Sequence, residues 1–85
     1  MVVNVKLEYY GRFKKMAGKE TEMIALPQNM KAAVQTLKDF LKEEYGIEDK
    51  CMILSDSVHI IRAMKENRTV EPGHVFKIIP FLSGG

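Results

Sequence analysis

The sequence predicts an α+β fold: one helix packed on one face of a mixed sheet of four or five strands. Three stretches predict it. Residues 2–10 alternate with period two, Val3, Val5, Leu7 and Tyr9 on one side and Asn4, Lys6 and Glu8 on the other, the pattern of a half-buried strand. Met30, Ala33, Val34, Leu37, Phe40, Leu41 and Tyr45 recur at three- and four-residue intervals, an amphipathic helix of about four turns. Near the end, residues 74–79 form a last strand with Phe76 and Ile78 on one face. A single core satisfies all three.

The elements follow in order. Gly11 ends the first strand. Phe13 and Met16 then sit three apart in a short segment, a helical turn that Gly18 closes. Residues 21–26 form a second strand, Ile24 and Leu26 inward; about ten residues separate it from the first, too few for a helical crossover, so the two make an antiparallel hairpin. Pro27 stops that strand, Asn29 is placed to cap the helix, and Gly46 suits its C′ position. Residues 51–54 read as a short edge strand, 55–57 as a turn, and 58–64 as a third clear strand, followed by a polar turn at 65–68. Glu71-Pro72-Gly73 is turn chemistry before the last strand. First and last strands carry the strongest alternation and are expected side by side at the centre, parallel, with the helix-containing stretch as crossover.

Composition narrows the function. The chain has 85 residues, 46% hydrophobic and 28% charged, which suits one soluble domain over residues 1–85. A net charge of +2, with basic and acidic residues interspersed, does not point to nucleic acid, and Arg12, Lys14 and Lys15 read as a solvated loop. No apolar run approaches the ~20 residues that span a bilayer, and the start has no signal-peptide pattern. The lone Cys51 fits a reducing, cytoplasmic setting, packed as a small hydrophobe. His59 and His74 lack any zinc-type spacing, so no metal is expected and both are taken as structural. No phosphate loop, dinucleotide fingerprint or nucleophile elbow occurs, so no self-sufficient active site is expected.

The last ten residues are the informative ones. Phe76-Lys77-Ile78-Ile79 leads through Pro80 into Phe81-Leu82-Ser83-Gly84-Gly85. Residues 81–85 are expected to form a flexible tail based on a firmly anchored strand. Glycine lets backbone approach a partner closely, as needed where a terminal carboxylate enters a narrow active site. At ~3.3 Å per residue, the residues after Phe81 reach only about 13 Å, so a partner must dock near the tail's root. Phe81, Leu82 and Ile79, with Tyr10 behind them, are the candidate docking residues, and Ser83 continues the tail.

In this order of elements and this terminus the chain resembles the β-grasp, ubiquitin-like sulfur carriers, above all the small subunit of molybdopterin synthase and the archaeal small modifier proteins. The resemblance runs through Gly11-Arg12-Phe13-Lys14-Lys15-Met16-Ala17-Gly18, Leu26-Pro27, Pro72-Gly73 and the Ser83-Gly84-Gly85 end. The chain has Phe81 where the family often has a second proline, and lacks the family's Asn-Gly turn near Lys65 and Glu66. The resemblance implies that a ubiquitin-activating-type adenylating enzyme uses ATP on the Gly85 carboxylate, with Gly84 making the approach possible, and that sulfur from a persulfide converts it to a thiocarboxylate. In the molybdopterin branch that sulfur passes to a pterin precursor in a complex with a larger catalytic subunit. In the modifier branch Gly85 is joined to a target-protein lysine, and sulfur carriers for thiamine or tRNA thiolation are a further alternative. The chain itself binds no cofactor on this reading. An interaction module with an inert tail is the competing class.

Overall fold

A computed structural model describes residues 1–48 and 51–81. Its elements run β1 (Val2–Tyr9), α1 (Arg12–Ala17), β2 (Thr21–Pro27), α2 (Met30–Tyr45), β3 (Cys51–Ser55), β4 (Val58–His59), α3 (Ile60–Lys65) and β5 (Val75–Pro80). The sheet order is β2-β1-β5-β3-β4. β1 and β2 form the expected antiparallel hairpin, with Val5 opposite Ile24 and Val3 opposite Leu26. β1 and β5 run parallel, Leu7 opposite Phe76 and Tyr9 opposite Ile78, so the last strand sits in the middle of the sheet.

The period-two set of β1 and the helical stripe of α2 meet in one core. Val5, Leu7 and Tyr9 are buried against Leu26, Met30, Ala33, Leu37, Leu41, Phe76 and Ile78. Such interiors are close-packed, so the alternation of a strand and the stripe of a helix must match face to face. Ile24, Phe40 and Tyr45 pack at the margin of this cluster rather than inside it. α2 begins as expected at Asn29, whose Oδ1 accepts from the Ala32 N–H at 3.0 Å, and ends at Gly46, whose N–H bonds back to the Leu41 and Lys42 carbonyls.

Four expectations need correction. Residues 58–64 are not one strand: only Val58 and His59 pair with β3, and the chain then turns into α3. The buried residues there, Ile60 and Ala63, are three apart, and the His59 Nδ1 accepts from the Ile61 N–H at 3.2 Å, capping the new helix. A strand would have put Ile60 and Ala63 on opposite faces. Residues 51–54 are likewise not the edge: β3 lies between β5 and β4, and β4 is the edge. Arg12, Lys14 and Lys15 stand on α1 rather than in a loop, exposed while Phe13 and Ala17 turn inward. The final strand is shifted by one residue, taking in Pro80 and leaving out His74.

Candidate functional site

The base of the tail is built by the middle strand. β5 is paired on one side by β1 and on the other by β3, where Ile53 faces Ile78 and Cys51 faces Pro80. Pro80 has no N–H to give a ladder, and it occupies the last position of β5, beyond the Tyr9–Ile78 pair where the β1 ladder stops. Gly11 fits against it: a Cβ there would lie 2.8 Å from Pro80 Cγ, and the backbone has φ of 57°. Only glycine meets both conditions without strain. The Tyr10 N–H also donates to the Ile78 carbonyl at 3.0 Å. The root of the tail is thus held on both sides, by β1 with Tyr10 and Gly11 and by β3, before the chain leaves the sheet.

Phe81 follows at once and is 52% exposed. Of the other candidate residues, Leu82, Ser83, Gly84 and Gly85 lie outside the described residues. Ile79 points away from the core, because its neighbour Ile78 is fully buried and side chains alternate; it stands opposite Met52. Tyr10 is 36% exposed and its hydroxyl donates to Glu8 Oε1 at 2.9 Å. That hydrogen bond, with a smaller contribution from desolvation, raises the hydroxyl's pKa. Ile79, Tyr10 and Phe81 are therefore surface residues around one strand end, not core. Sequence reasoning missed Met52 and Leu54, half-buried on the face that carries Ile79. Their alternation with the buried Ile53 was the available signal. On another side of the root, a groove of about 1020 Å³ is lined by Phe13, Leu41, Ile53, Ile60 and Phe81, with Lys38 and Lys42 along it.

Two polar clusters lie away from this root. The Glu22 carboxylate turns to the helix side of the sheet, where the Tyr9 and Tyr45 hydroxyls both donate to Oε2 at 2.5 Å and Lys19 Nζ lies 3.5 Å from Oε1. Burial works to raise the pKa of Glu22, but the hydrogen bonds from Tyr45 and Tyr9 and the charge of Lys19 outweigh it and hold the carboxyl below its usual range. Burial first, then the Glu22 hydrogen bond, pushes both tyrosines upward. The second cluster joins Ser55, His74 and Asp56: Ser55 Oγ lies 2.5 Å from His74 Nε2, and His74 Nδ1 lies 3.2 Å from Asp56 Oδ2. These are the residue types of a hydrolytic triad. Here, however, the serine is 1% exposed and the aspartate faces solvent, so the nucleophile is the inaccessible member. The cluster instead ties the β3–β4 turn to the start of β5, where Asp56 Oδ1 also accepts from the Val75 N–H at 3.3 Å. Among the described residues no three His, Cys, Asp or Glu side chains gather as a metal site, and no helix is long and apolar enough to cross a membrane.

No protein-family model matches the chain, and no curated protein matches it in sequence. Solved structures do match it in shape. The HVO 2177 protein of Haloferax volcanii superposes with a TM-score of 0.73 at 15% identity, over 99% of this chain and 88% of that one. A Pyrococcus furiosus protein described as a candidate molybdopterin converting factor, subunit 1, gives 0.67 at 22% identity, over 92% of this chain and 97% of that one. The small archaeal modifier protein 1 of Methanosarcina acetivorans gives 0.68 at 18% identity, over 100% of this chain and 99% of that one. At such identities the likeness speaks to architecture. The chain has the ubiquitin-like β-grasp fold, the fold of these archaeal modifier and converting-factor proteins.

Proposed function

We propose that this chain is a sulfur carrier whose C-terminal glycine, Gly85, is adenylated by a partner enzyme and converted to a thiocarboxylate that donates sulfur in molybdopterin synthesis. The observation that carries the reading is the tail root: a strand in the middle of the sheet, clamped at Pro80, that brings an exposed Phe81 to one end of a β-grasp fold, with Leu82-Ser83-Gly84-Gly85 following it in the sequence. The chain is a single carrier domain over residues 1–85 on this reading, acting in the cytoplasm and holding no cofactor of its own.

The chemistry follows from the terminus. A carboxylate is a poor acyl donor because its leaving group would be oxide. Attack of a Gly85 carboxylate oxygen on the α-phosphate of ATP releases pyrophosphate and gives an acyl adenylate, whose leaving group is AMP. The outer sulfur of a persulfide then displaces AMP to give an acyl disulfide, and a second thiol attacks the inner sulfur, forming a disulfide with it and releasing the thiocarboxylate on Gly85. The partner's active site has to come within about 13 Å of Phe81, the reach of the four residues beyond it at ~3.3 Å each. Ile79, Tyr10 and Phe81, together with Met52, offer the aromatic and aliphatic contacts on which interfaces are commonly anchored. A larger synthase subunit is the second partner, receiving the same tail. The fold is equally that of a small archaeal modifier, which supports a second reading in which Gly85 is joined to target lysines.

The test is ATP–pyrophosphate exchange with the cognate adenylating enzyme, comparing the intact chain with one lacking Gly85. Exchange with the intact chain and none with the truncated one is expected, at unchanged stability. Equal exchange with both would remove the proposal.

A further inference from the structure

The two edges of this open sheet are unequal. β4 is two residues long and runs straight into α3, whereas β2 extends over Thr21–Pro27. The hydrogen bonds that flank β2 fix which of its residues face outward. The Tyr9 N–H donates to the Glu20 carbonyl at 2.8 Å and the Gln28 N–H to the Met1 carbonyl at 3.3 Å. In an antiparallel ladder the bonded pairs come at every second residue, so Glu22, Ile24 and Leu26 turn their backbone groups to β1. Thr21, Met23 and Ala25 turn theirs away. The Pro27 end is already occupied, because the Val70 N–H bonds the Gln28 carbonyl at 2.8 Å and Asn29 bridges to Thr69. What is left is an open ladder at Thr21, Met23 and Ala25, with no strand paired to it among the described residues.

Among the described residues that ladder is lightly guarded. Edge strands are usually protected by lysine, by a bulge or by an inward-pointing charge. All three outward residues here are uncharged and exposed, Met23 to 59%. The one charged residue of β2, Glu22, does point inward, but its carboxylate is already held by Tyr9 and Tyr45 and stands clear of the open ladder. The ladder is also self-complementary. An antiparallel copy centred on Met23 sets Met23 opposite its own counterpart and Thr21 opposite Ala25 in both directions, each pair exchanging both of its bonds. The two-fold axis closes this contact, so it stops at two chains.

We infer that β2 is a self-association edge, on which a second copy of this chain pairs antiparallel through Thr21, Met23 and Ala25. The association is weak, since so short a ladder buries less than the ~1,200 Å² of a standard stable interface. It leaves Phe81 free on each copy, because β1 separates β2 from β5, and it stands whether or not the tail carries sulfur.

Sedimentation equilibrium and amide chemical shifts, followed up to about 1 mM protein, test it. The expected result is a monomer–dimer equilibrium, with concentration-dependent shifts centred on the Thr21, Met23 and Ala25 amides. Met23→Lys sets two ammonium groups against each other at the axis and is expected to weaken the dimer about fivefold or more, the effect of directly opposed like charges; Met23→Ile is expected to keep it. A chain that stays monomeric overturns the inference, including one whose β2 amides shift only when an unrelated strand-forming Val-Thr peptide is added. So does a dimer that Met23→Lys leaves unchanged, or one whose shifts centre on Tyr10 and Phe81.

Discussion

Replacing Glu22 by alanine removes the acceptor that two tyrosines share across the fold. Tyr9 and Tyr45 are 13 and 23 residues from Glu22 in sequence, and both hydroxyls end on its Oε2. Tyr9 is 1% exposed, so in Glu22→Ala its hydroxyl loses its charged acceptor and keeps only the neighbouring Tyr45 hydroxyl as a protein partner. A hydrogen bond to a charged group contributes about 1.5–3 kcal/mol, and orphaning a buried donor costs about 1–3 kcal/mol. Tyr45 is only half-buried and can turn to solvent, and the Lys19 pair is too exposed to count for much. The expected loss is therefore about 3 kcal/mol, or about 12–24 °C in Tm for a domain of this size. Urea unfolding followed by circular dichroism measures it, with Glu22→Gln as a milder variant that keeps one acceptor. The pH dependence is a second handle. Because the carboxyl is held below its usual range, its contribution is complete above the ordinary glutamate pKa of about 4.3 and fades as pH falls below that through the folded-state value. The gap between wild type and Glu22→Gln should close in that acid window. At the other end, both tyrosines are raised, so stability should fall above about pH 10 as the unfolded chain begins to ionise them. A loss under about 0.5 kcal/mol, as for an ordinary surface substitution, would refute the claim that this cluster locks α2 to the hairpin.

Other substitutions probe the tail root. Gly11→Ala puts a methyl 2.8 Å from Pro80 Cγ at a φ of 57°, and is expected to cost about 1–3 kcal/mol by thermal unfolding and to slow adenylation by displacing the root. Phe81→Ala, at an exposed position, should change stability by less than about 0.5 kcal/mol while weakening binding to the adenylating enzyme by about 1–2 kcal/mol in calorimetric titration. Conjugation to lysines, if it occurs, should appear in tryptic digests as a branch of residues 78–85, because the last tryptic site before the terminus is Lys77.

Much of the architecture was legible because it rests on local periodicity. The alternation of β1, the stripe of α2, the Asn29 cap and the parallel pairing of β1 with β5 all follow from spacing, capping chemistry and crossover length. The region 58–64 was misread because Val58, Ile60 and Ile61 are β-branched residues that favour strands, while the burial of Ile60 and Ala63 against α2 and β3 decides for a helix. That is a tertiary choice, invisible in a seven-residue window. The clasp of Gly11 on Pro80 and the convergence of Tyr9 and Tyr45 on Glu22 are equally non-local: Gly11 looked like a plain strand stop, and Glu22 like one more surface charge. For the site itself, alternation said that one of Ile78 and Ile79 must face out, and Ile79 does. It said nothing of Met52, which joins the same surface only through the register of β3 on β5.

The central claim is that the chain carries sulfur on its last residue, and mass analysis of its terminal peptide tests that directly. Intact mass alone is ambiguous: exchange of oxygen for sulfur adds nominally the same mass as oxidation of any of the six methionines. Cleavage after Lys77 removes the ambiguity, since residues 78–85 contain no methionine. After incubation with ATP, a persulfide source, a thiol reductant and an active adenylating partner, the mass gain is expected on that peptide and to vanish when ATP is omitted. An unaltered terminal peptide, with the partner demonstrably active on the same sample, would contradict the account.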